Sequence, residues 1–196
     1  MNFFYALSIF LVIQTSSGST ERSRKLRSRD DDDERGDGEF RIVGGTNAAN
    51  GEFPYMVKGG GCGGSLITPN LVLTAAHCDG AFKNRELRIG SIDRNSGGEI
   101  AMGVKEIPHP NYKGSNNDFM VVTLDREVQK TPIPLNSNVN SPSVGEQLTV
   151  IGFGRTSEGG SSSNRLKKVN VPTVSFQDCR GVYGSTIQDA TMLCAG

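Results

Sequence analysis

The chain has 196 residues, and its 21 lysines and arginines balance 21 aspartates and glutamates, so its formal net charge is zero. A neutral chain gives no general electrostatic reason to bind nucleic acid or a membrane surface, and neither is expected as a partner. Its 25 glycines, 8 prolines and 35% hydrophobic residues favour an all-β protein with many short strands over a helical one.

Residues 1–18 have the layout of a secretory signal peptide. An apolar run, residues 3–13, is followed by small and polar residues that include Ser16 and Gly18, and cleavage is predicted after Gly18. No Lys or Arg precedes the run, which departs from the usual pattern. The run is too short for a membrane span, which needs about 20 apolar residues. We therefore expect a secreted, extracellular protein.

Residues 19–41 differ in kind from the rest of the chain. A basic stretch, residues 22–29, is followed by an acidic one, residues 30–34. Such blocks cannot bury enough apolar surface to fold, so this segment is predicted to be disordered. One reading of the basic stretch is binding to heparin or nucleic acid. A solvated, protease-accessible pro-segment is the simpler interpretation, and we favour it.

Short strands are predicted from residue 42 onward. Turn signals such as Thr68-Pro69-Asn70 separate the apolar and β-branched runs, and no convincing amphipathic helix is found. The predicted strands are residues 65–67, 71–74, 87–89, 120–124, 147–151 and 169–174. Short strands at this spacing indicate antiparallel barrels or a sandwich.

The four cysteines are Cys62, Cys78, Cys179 and Cys194. In an oxidising compartment they fit two disulfides, for which three pairings exist. The short sequence separations between Cys62 and Cys78, and between Cys179 and Cys194, favour local pairing. A zinc site is the alternative, but the sequence has no Cys-x-x-Cys pair and no histidine cluster beside one.

Only His77 and His109 could serve as a base of near-neutral pKa for a nucleophilic serine. His109 lies between two prolines in a polar loop and is interpreted as a surface residue. His77 ends an apolar strand, follows two small alanines and precedes Cys78, so a bridge at that cysteine would hold the imidazole in place.

Five segments of this chain resemble the chymotrypsin/trypsin family of serine endopeptidases. In chain order they are Arg-Ile-Val-Gly-Gly at 41–45, Cys-Gly-Gly-Ser-Leu-Ile at 62–67, Leu-Thr-Ala-Ala-His-Cys at 73–78, Asn-Asp-Phe-Met-Val-Val-Thr-Leu at 117–124 and Met-Leu-Cys-Ala-Gly at 192–196. One such match would be weak, whereas five in order over residues 41–196 are specific. The resemblance implies an all-β fold of two antiparallel β-barrels, with the active site between them.

The resemblance also implies roles for particular residues. His77 would be the general base and acid, and Asp118 the buried carboxylate that orients it. Cleavage between Arg41 and Ile42 would activate a zymogen. The implied disulfides are Cys62–Cys78 and Cys179–Cys194. No metal or other cofactor is implied, and the expected partners of a monomeric enzyme are protein and peptide substrates, an activating trypsin-like protease and protein inhibitors.

The family's nucleophile segment, Gly-Asp-Ser-Gly-Gly, does not occur in the 196 residues. We therefore expect a trypsin-like peptidase domain at 42–196, with a first barrel at about 42–140 and an incomplete second barrel at about 141–196, and no activity of the chain as written. Lys/Arg preference is an extrapolation from the resemblance. The alternative is an inactive secreted homologue that acts as a binding or regulatory module.

Overall fold

The computed structural model describes residues 5–7, 45–155, 161–187 and 191–196. The remainder of the predicted signal peptide, the predicted pro-segment and the Arg41–Ile42 bond lie outside the described residues. For residues 5–7 the backbone alone is described.

The described residues form eleven strands and one α-helix. The strands are β1 Tyr5–Leu7, β2 Thr46–Asn47, β3 Met56–Gly59, β4 Cys62–Thr68, β5 Leu71–Thr74, β6 Glu86–Ile89, β7 Glu99–Pro108, β8 Met120–Leu124, β9 Gln147–Gly152, β10 Lys167–Pro172 and β11 Leu193–Ala195. The helix α1 is Phe176–Tyr183. Each strand predicted from the sequence overlaps one of these, and the predicted all-β fold class is confirmed.

Six strands close into an antiparallel barrel in the order β3-β4-β5-β8-β7-β6, and β6 pairs with β3 to complete the ring. Closure leaves no unpaired strand edge, which an open sheet of this size would expose. The strands of this barrel lie between Met56 and Leu124 in the chain.

Alternating side chains of the strands fill the barrel. In β8 the buried positions are Met120, Val122 and Leu124, which follow the two-residue period of a strand with one face turned inward. Phe82, from the turn before β6, is completely buried in the same core. Burial of each such large apolar side chain contributes about 1.5–3 kcal/mol.

The longest strand, β7, was not predicted, and Gly103 within it explains part of the difficulty. A Cβ atom at this position would lie 2.3 Å from the Phe82 carbonyl oxygen, so only glycine fits. The register with β8 also shifts between Gly103 and Lys105. The bulge breaks the alternation of apolar and polar residues by which a strand is recognised in sequence.

A second, three-stranded sheet has the order β2-β10-β9. Backbone hydrogen bonds attach this sheet to the segment that follows barrel strand β6. The Leu166 N–H, just before β10, donates to the carbonyl oxygen of Ile92, just after β6, at 2.8 Å, and the Arg94 N–H donates to that of Asn164 at 2.9 Å. The side chain of Leu166 is buried in the core of the barrel, so the two sheets share apolar packing as well.

Helix α1 corrects the expectation that no helix is present. The Ser175 side chain accepts a hydrogen bond from the Asp178 N–H at 3.1 Å, and Gly184 ends the helix at a φ of 67°. Its buried residue, Cys179, packs with Ile187 and Cys194 in a small cluster separate from the barrel core. Among the described residues no helix has the length and apolar character needed to cross a membrane.

The last strand, β11, pairs antiparallel with β1, so that Ala6 lies opposite Cys194. Residues 5–7 fall within the predicted signal peptide. This pairing therefore exists only while that segment remains attached to the chain.

Replacing Tyr55 by Phe is expected to raise the free energy of unfolding by about 1 kcal/mol. The Tyr55 hydroxyl is buried and has no hydrogen-bond partner among the residues that the structure describes. Burial and the nearby charge of Glu52 raise the pKa of this phenol to about 12. Removal of an unpaired buried hydroxyl relieves its desolvation cost. Urea denaturation measures the change, and a loss of stability in the variant would show that the hydroxyl is paired.

Replacing Glu52 by Gln is expected to weaken the loss of stability at acidic pH. Glu52 forms an ion pair with Lys168 of β10 and accepts a hydrogen bond from the Ala49 N–H at 2.8 Å. The hydrogen bonds from Lys168 and Ala49 hold the pKa of Glu52 below its ordinary value of 4.5.

The sign follows from linkage: the ionised carboxylate stabilises the fold above that value, and the contribution disappears as the pH falls below it. Because both side chains are partly exposed, it amounts to at most about 1 kcal/mol. Urea midpoints between pH 6 and pH 3 should fall less steeply in Glu52→Gln. Glu127→Gln, at an exposed carboxylate, is the matched control and should follow the parent protein.

Candidate active site

Strand pairing brings His77 and Asp118 together from positions 41 residues apart. In the ladder between β5 and β8, Thr74 lies opposite Met120. His77 follows Thr74 by three residues, and Asp118 precedes Met120 by two. Because the two strands are antiparallel, both extensions leave the barrel at the same end and side by side.

His77 lies in a single turn of 3-10 helix, residues Ala76–Cys78, that begins directly after β5. Ala75 and Ala76 are buried, and side chains of this size let the turn pack closely on the barrel. The turn is closed by hydrogen bonds from the Cys78 N–H to Ala75 and from the Asp79 N–H to Ala76. The imidazole is thus carried by a short, anchored segment.

Both oxygens of the Asp118 carboxylate contact His77. Oδ2 lies 2.6 Å from the imidazole Nδ1, and Oδ1 accepts a hydrogen bond from the His77 backbone N–H at 2.8 Å. Two contacts to one residue fix the position and the rotation of the ring together. The Asp118 side chain is 4% exposed and the His77 side chain 40% exposed, so the pair is buried on the carboxylate side and open on the imidazole side.

This geometry selects one imidazole tautomer. An ionised carboxylate can only accept hydrogen bonds, so Nδ1 of His77 carries the hydrogen that points to Asp118. The ring's lone pair is then on Nε2, the nitrogen remote from the carboxylate. A histidine held in this way can accept a proton at Nε2, while the carboxylate stabilises the imidazolium that forms.

Two disulfides are present, Cys62–Cys78 and Cys179–Cys194. The first attaches the His77 turn to the start of β4, with 6.2 Å between the two Cα atoms. The ligand atoms of Cys62, His77 and Cys78 lie within 4.8 Å of one another, which is close enough for a metal site. The sulfurs are bonded to each other, however, and a metal needs thiolates. The disulfides are therefore the better interpretation of these cysteines.

The second histidine and a neighbouring tyrosine lie in the loop between β7 and β8. The His109 ring accepts a hydrogen bond from the Asn111 N–H at 3.3 Å, an arrangement within the loop itself. Tyr112 is partly buried against the barrel core. Its burial, and then the charge of Asp118, raise the pKa of its phenol. The sequence analysis did not single out Tyr112 as a neighbour of this carboxylate.

The two acidic residues of the segment 90–99 are engaged in contacts within the chain. Asp93 Oδ1 accepts hydrogen bonds from the N–H groups of Asn95 and Ser96. Glu99 forms an ion pair with Arg126 at 2.7 Å. Asp93 thus has a structural role in the loop before β7, and Glu99 has one at the start of that strand.

Asn117, next to Asp118, is a further residue of the site that sequence reasoning did not single out. Its φ is +52°, and it is one of two non-glycine residues with positive φ in the described part of the chain. Asparagine occurs in this left-handed region more readily than most residues. That preference, directly before a candidate catalytic acid, was the available signal.

The structure thus has a buried Asp–His pair at one end of a closed antiparallel barrel, with a disulfide beside the histidine. The trypsin family model matches residues 42–196. The chain belongs to the trypsin family, as its motifs indicated.

Individual relatives agree with this assignment. The chain is 35% identical to a trypsin-like protease of Streptomyces glaucescens over 162 residues, which cover 80% of this chain and 60% of that protein. It is 34% identical to serine protease 56 of Mus musculus over 80% of this chain and 28% of that protein. It is 37% identical to trypsin-1 of Salmo salar over 69% of this chain and 57% of that protein. The chain thus spans less than two thirds of each relative.

Proposed function

We propose that this chain is the His–Asp part of a secreted serine endopeptidase that is made as a zymogen. The observation that carries the proposal is the contact of 2.6 Å between His77 Nδ1 and Asp118 Oδ2, made by a carboxylate that also holds the His77 backbone. Such a pair is built for proton transfer to and from a hydroxyl. Trypsin-family membership supports the same chemistry.

The reaction would be acyl transfer through a serine ester. His77 Nε2 takes the proton of a serine hydroxyl as its oxygen attacks the peptide carbonyl, and then gives that proton to the leaving amine. In the second half of the cycle a water molecule replaces the amine, and the carboxylic acid product leaves. Asp118 stays ionised and stabilises the imidazolium in both halves.

The proposal assigns the nucleophile to sequence that follows Gly196 in the whole protein. No Gly-Asp-Ser-Gly-Gly segment occurs in the 196 residues, and the trypsin-family relatives are longer than the matched part. The 196-residue chain alone is expected to be inactive, because removal of any member of such a triad forfeits nearly all of the rate.

Activation would occur by cleavage between Arg41 and Ile42. The family match begins at residue 42, which supports a mature domain that starts at Ile42. The basic residue at position 41 suits a trypsin-like activating enzyme. The apolar run at 3–13 and the two disulfides support secretion into an oxidising compartment. Preference for Lys and Arg substrates is proposed by extrapolation from the resemblance to the trypsin family.

The test is to express the whole coding sequence as a secreted protein and to treat it with bead-immobilised trypsin, which is removed before hydrolysis is measured. We expect a new N-terminus at Ile42 and, with it, hydrolysis of peptide p-nitroanilides with Lys or Arg before the scissile bond. Arg41→Gln should abolish both at once, and the 196-residue chain, treated alike, should not hydrolyse the substrate. Correct cleavage without any hydrolysis would favour the inactive homologue that acts as a binding module.

A further inference from the structure

We infer that Asn117 is a positioning residue for Asp118, acting through its left-handed backbone conformation. The inference rests on the proposed function, since it concerns the carboxylate that orients His77. It assigns a role to a residue that contacts neither a reacting atom nor His77.

Asn117 lies at the end of the β7–β8 loop, shortly before strand β8 begins. Asp118 and Met120 are both buried, and Phe119 between them is 45% exposed, so Asp118 extends the inward face of β8 by one step. Asn117 has a φ of +52°, in the left-handed region that strand residues do not occupy. A change of φ here rotates the chain that leads into Asp118.

Hydrogen bonds hold the conformation from both sides. The Phe119 N–H donates to the Asn117 carbonyl oxygen at 2.8 Å, which closes a tight turn around Asp118. The Asn117 side-chain amide donates to the Asn111 carbonyl oxygen at 3.2 Å and attaches the turn to the loop. The His109 N–H donates to the Phe119 carbonyl oxygen at 2.8 Å. The closed, strained turn therefore holds the Asp118 side chain in one direction.

Strain of this kind persists only where the surrounding structure imposes it, and it concentrates at functional sites. At Asn117 the direction matters because Asp118 must satisfy two contacts at once, the His77 Nδ1 and the His77 N–H. A small rotation of the chain would move both Asp118 oxygens out of hydrogen-bond distance of His77. The imidazole would then lose its orientation.

The chain contains a matched control. Among the residues that the structure describes, Asn84 is the other non-glycine residue with positive φ, at +58°, and it lies in the turn before β6. It is exposed, and its N–H donates to the Gly103 carbonyl oxygen at 2.7 Å. Substitution at Asn84 imposes the same kind of backbone penalty on the barrel without touching the His77–Asp118 pair.

The experiment measures hydrogen exchange of the His77 backbone N–H, which donates to Asp118 Oδ1, in the 196-residue chain by NMR. Asn117→Ala removes the residue type that tolerates positive φ, and exchange at His77 is expected to become about tenfold faster relative to the Val72 N–H in the core. Asn84→Ala should leave this ratio within about twofold of the parent. Asn117→Gly, which accepts positive φ freely, should restore it to within about threefold.

An unchanged His77 ratio in folded Asn117→Ala would overturn the inference, as would an equal change in Asn84→Ala. The glycine variant decides even if the alanine variant does not fold, because a folded Asn117→Gly that has lost protection at His77 would show that the backbone conformation is not the cause. The measurement needs no enzymatic activity. A negative result here is therefore distinguishable from failure of the protease proposal, which peptide hydrolysis tests.

Discussion

Asp118→Asn is expected to lower kcat of the activated enzyme by about 10⁴-fold, the scale at which this change acts in a Ser-His-Asp triad. The structure supplies the reason: an asparagine amide can occupy the same volume, but its NH₂ group would face Nδ1 and favour the wrong imidazole tautomer. The proton would then be on Nε2, where the base needs its lone pair. Steady-state hydrolysis of a peptide p-nitroanilide measures the loss.

Asp125→Asn is the matched control for this change. Asp125 also lies at an end of β8, and its Oδ1 accepts a hydrogen bond from the Met102 N–H at 2.9 Å, but it does not contact His77. The kcat of the Asp125→Asn variant should stay within about twofold of the parent, as expected for a substitution at an exposed residue remote from the candidate active site. A similar kcat for Asp118→Asn and the parent would show that Asp118 does not set the tautomer of the catalytic base.

Removing the Cys62–Cys78 bridge by a double Ser substitution is expected to lower the free energy of unfolding by about 3 kcal/mol. The bridge closes a loop with a sequence separation of 16, and the entropy lost by the unfolded chain accounts for a term of this size. It also attaches the His77 turn to β4. We therefore expect faster hydrogen exchange at the His77 N–H in the variant, measured together with urea denaturation.

The Cys179–Cys194 bridge provides the comparison. Its sequence separation is 15, so its removal should cost a similar free energy, but its cysteines pack in the small cluster under α1. Protection of the His77 N–H relative to the Val72 N–H should then stay within about twofold of the parent. Equal loss of protection at His77 in the two double variants would contradict a specific role for the first bridge.

The strands that could be predicted from the sequence are those whose alternation of apolar and polar residues matches the side chains that the fold buries. Residues 71–74 and 120–124 carry β-branched and aliphatic side chains on a two-residue period, and they form β5 and β8. What local pattern does not contain is their pairing. The Thr74–Met120 register that joins His77 to Asp118 is a long-range contact, and before the structure only the family resemblance indicated it.

The elements that were missed have identifiable physical causes. Strand β7 contains Gly103, which is required by the Phe82 carbonyl oxygen, and a bulge that interrupts its alternation. Helix α1 has eight residues, too few for a strong periodic signal, and its stability depends on tertiary packing and caps. The Ser175-x-x-Asp178 pattern and Gly184 were its available signals.

For the candidate site, the sequence indicated residues but not their geometry. The sequence indicated His77, Asp118 and the cysteines, because the family motifs include them. It did not indicate that both oxygens of Asp118 hold His77, or that Asn117 adopts a positive φ beside them. Those features depend on the loop between β7 and β8, whose conformation is set by hydrogen bonds that no short motif encodes.

The most direct test of the account is labelling of the secreted, activated protein with a fluorophosphonate, followed by mass spectrometry of the labelled peptide. The probe reacts when an activated serine oxygen displaces fluoride from phosphorus. We predict one labelled serine, in a segment beyond Gly196, and loss of labelling in His77→Ala, with His109→Ala labelled like the parent. An unlabelled parent, or labelling that persists without His77, would contradict the claim that the His77–Asp118 pair activates a serine hydroxyl.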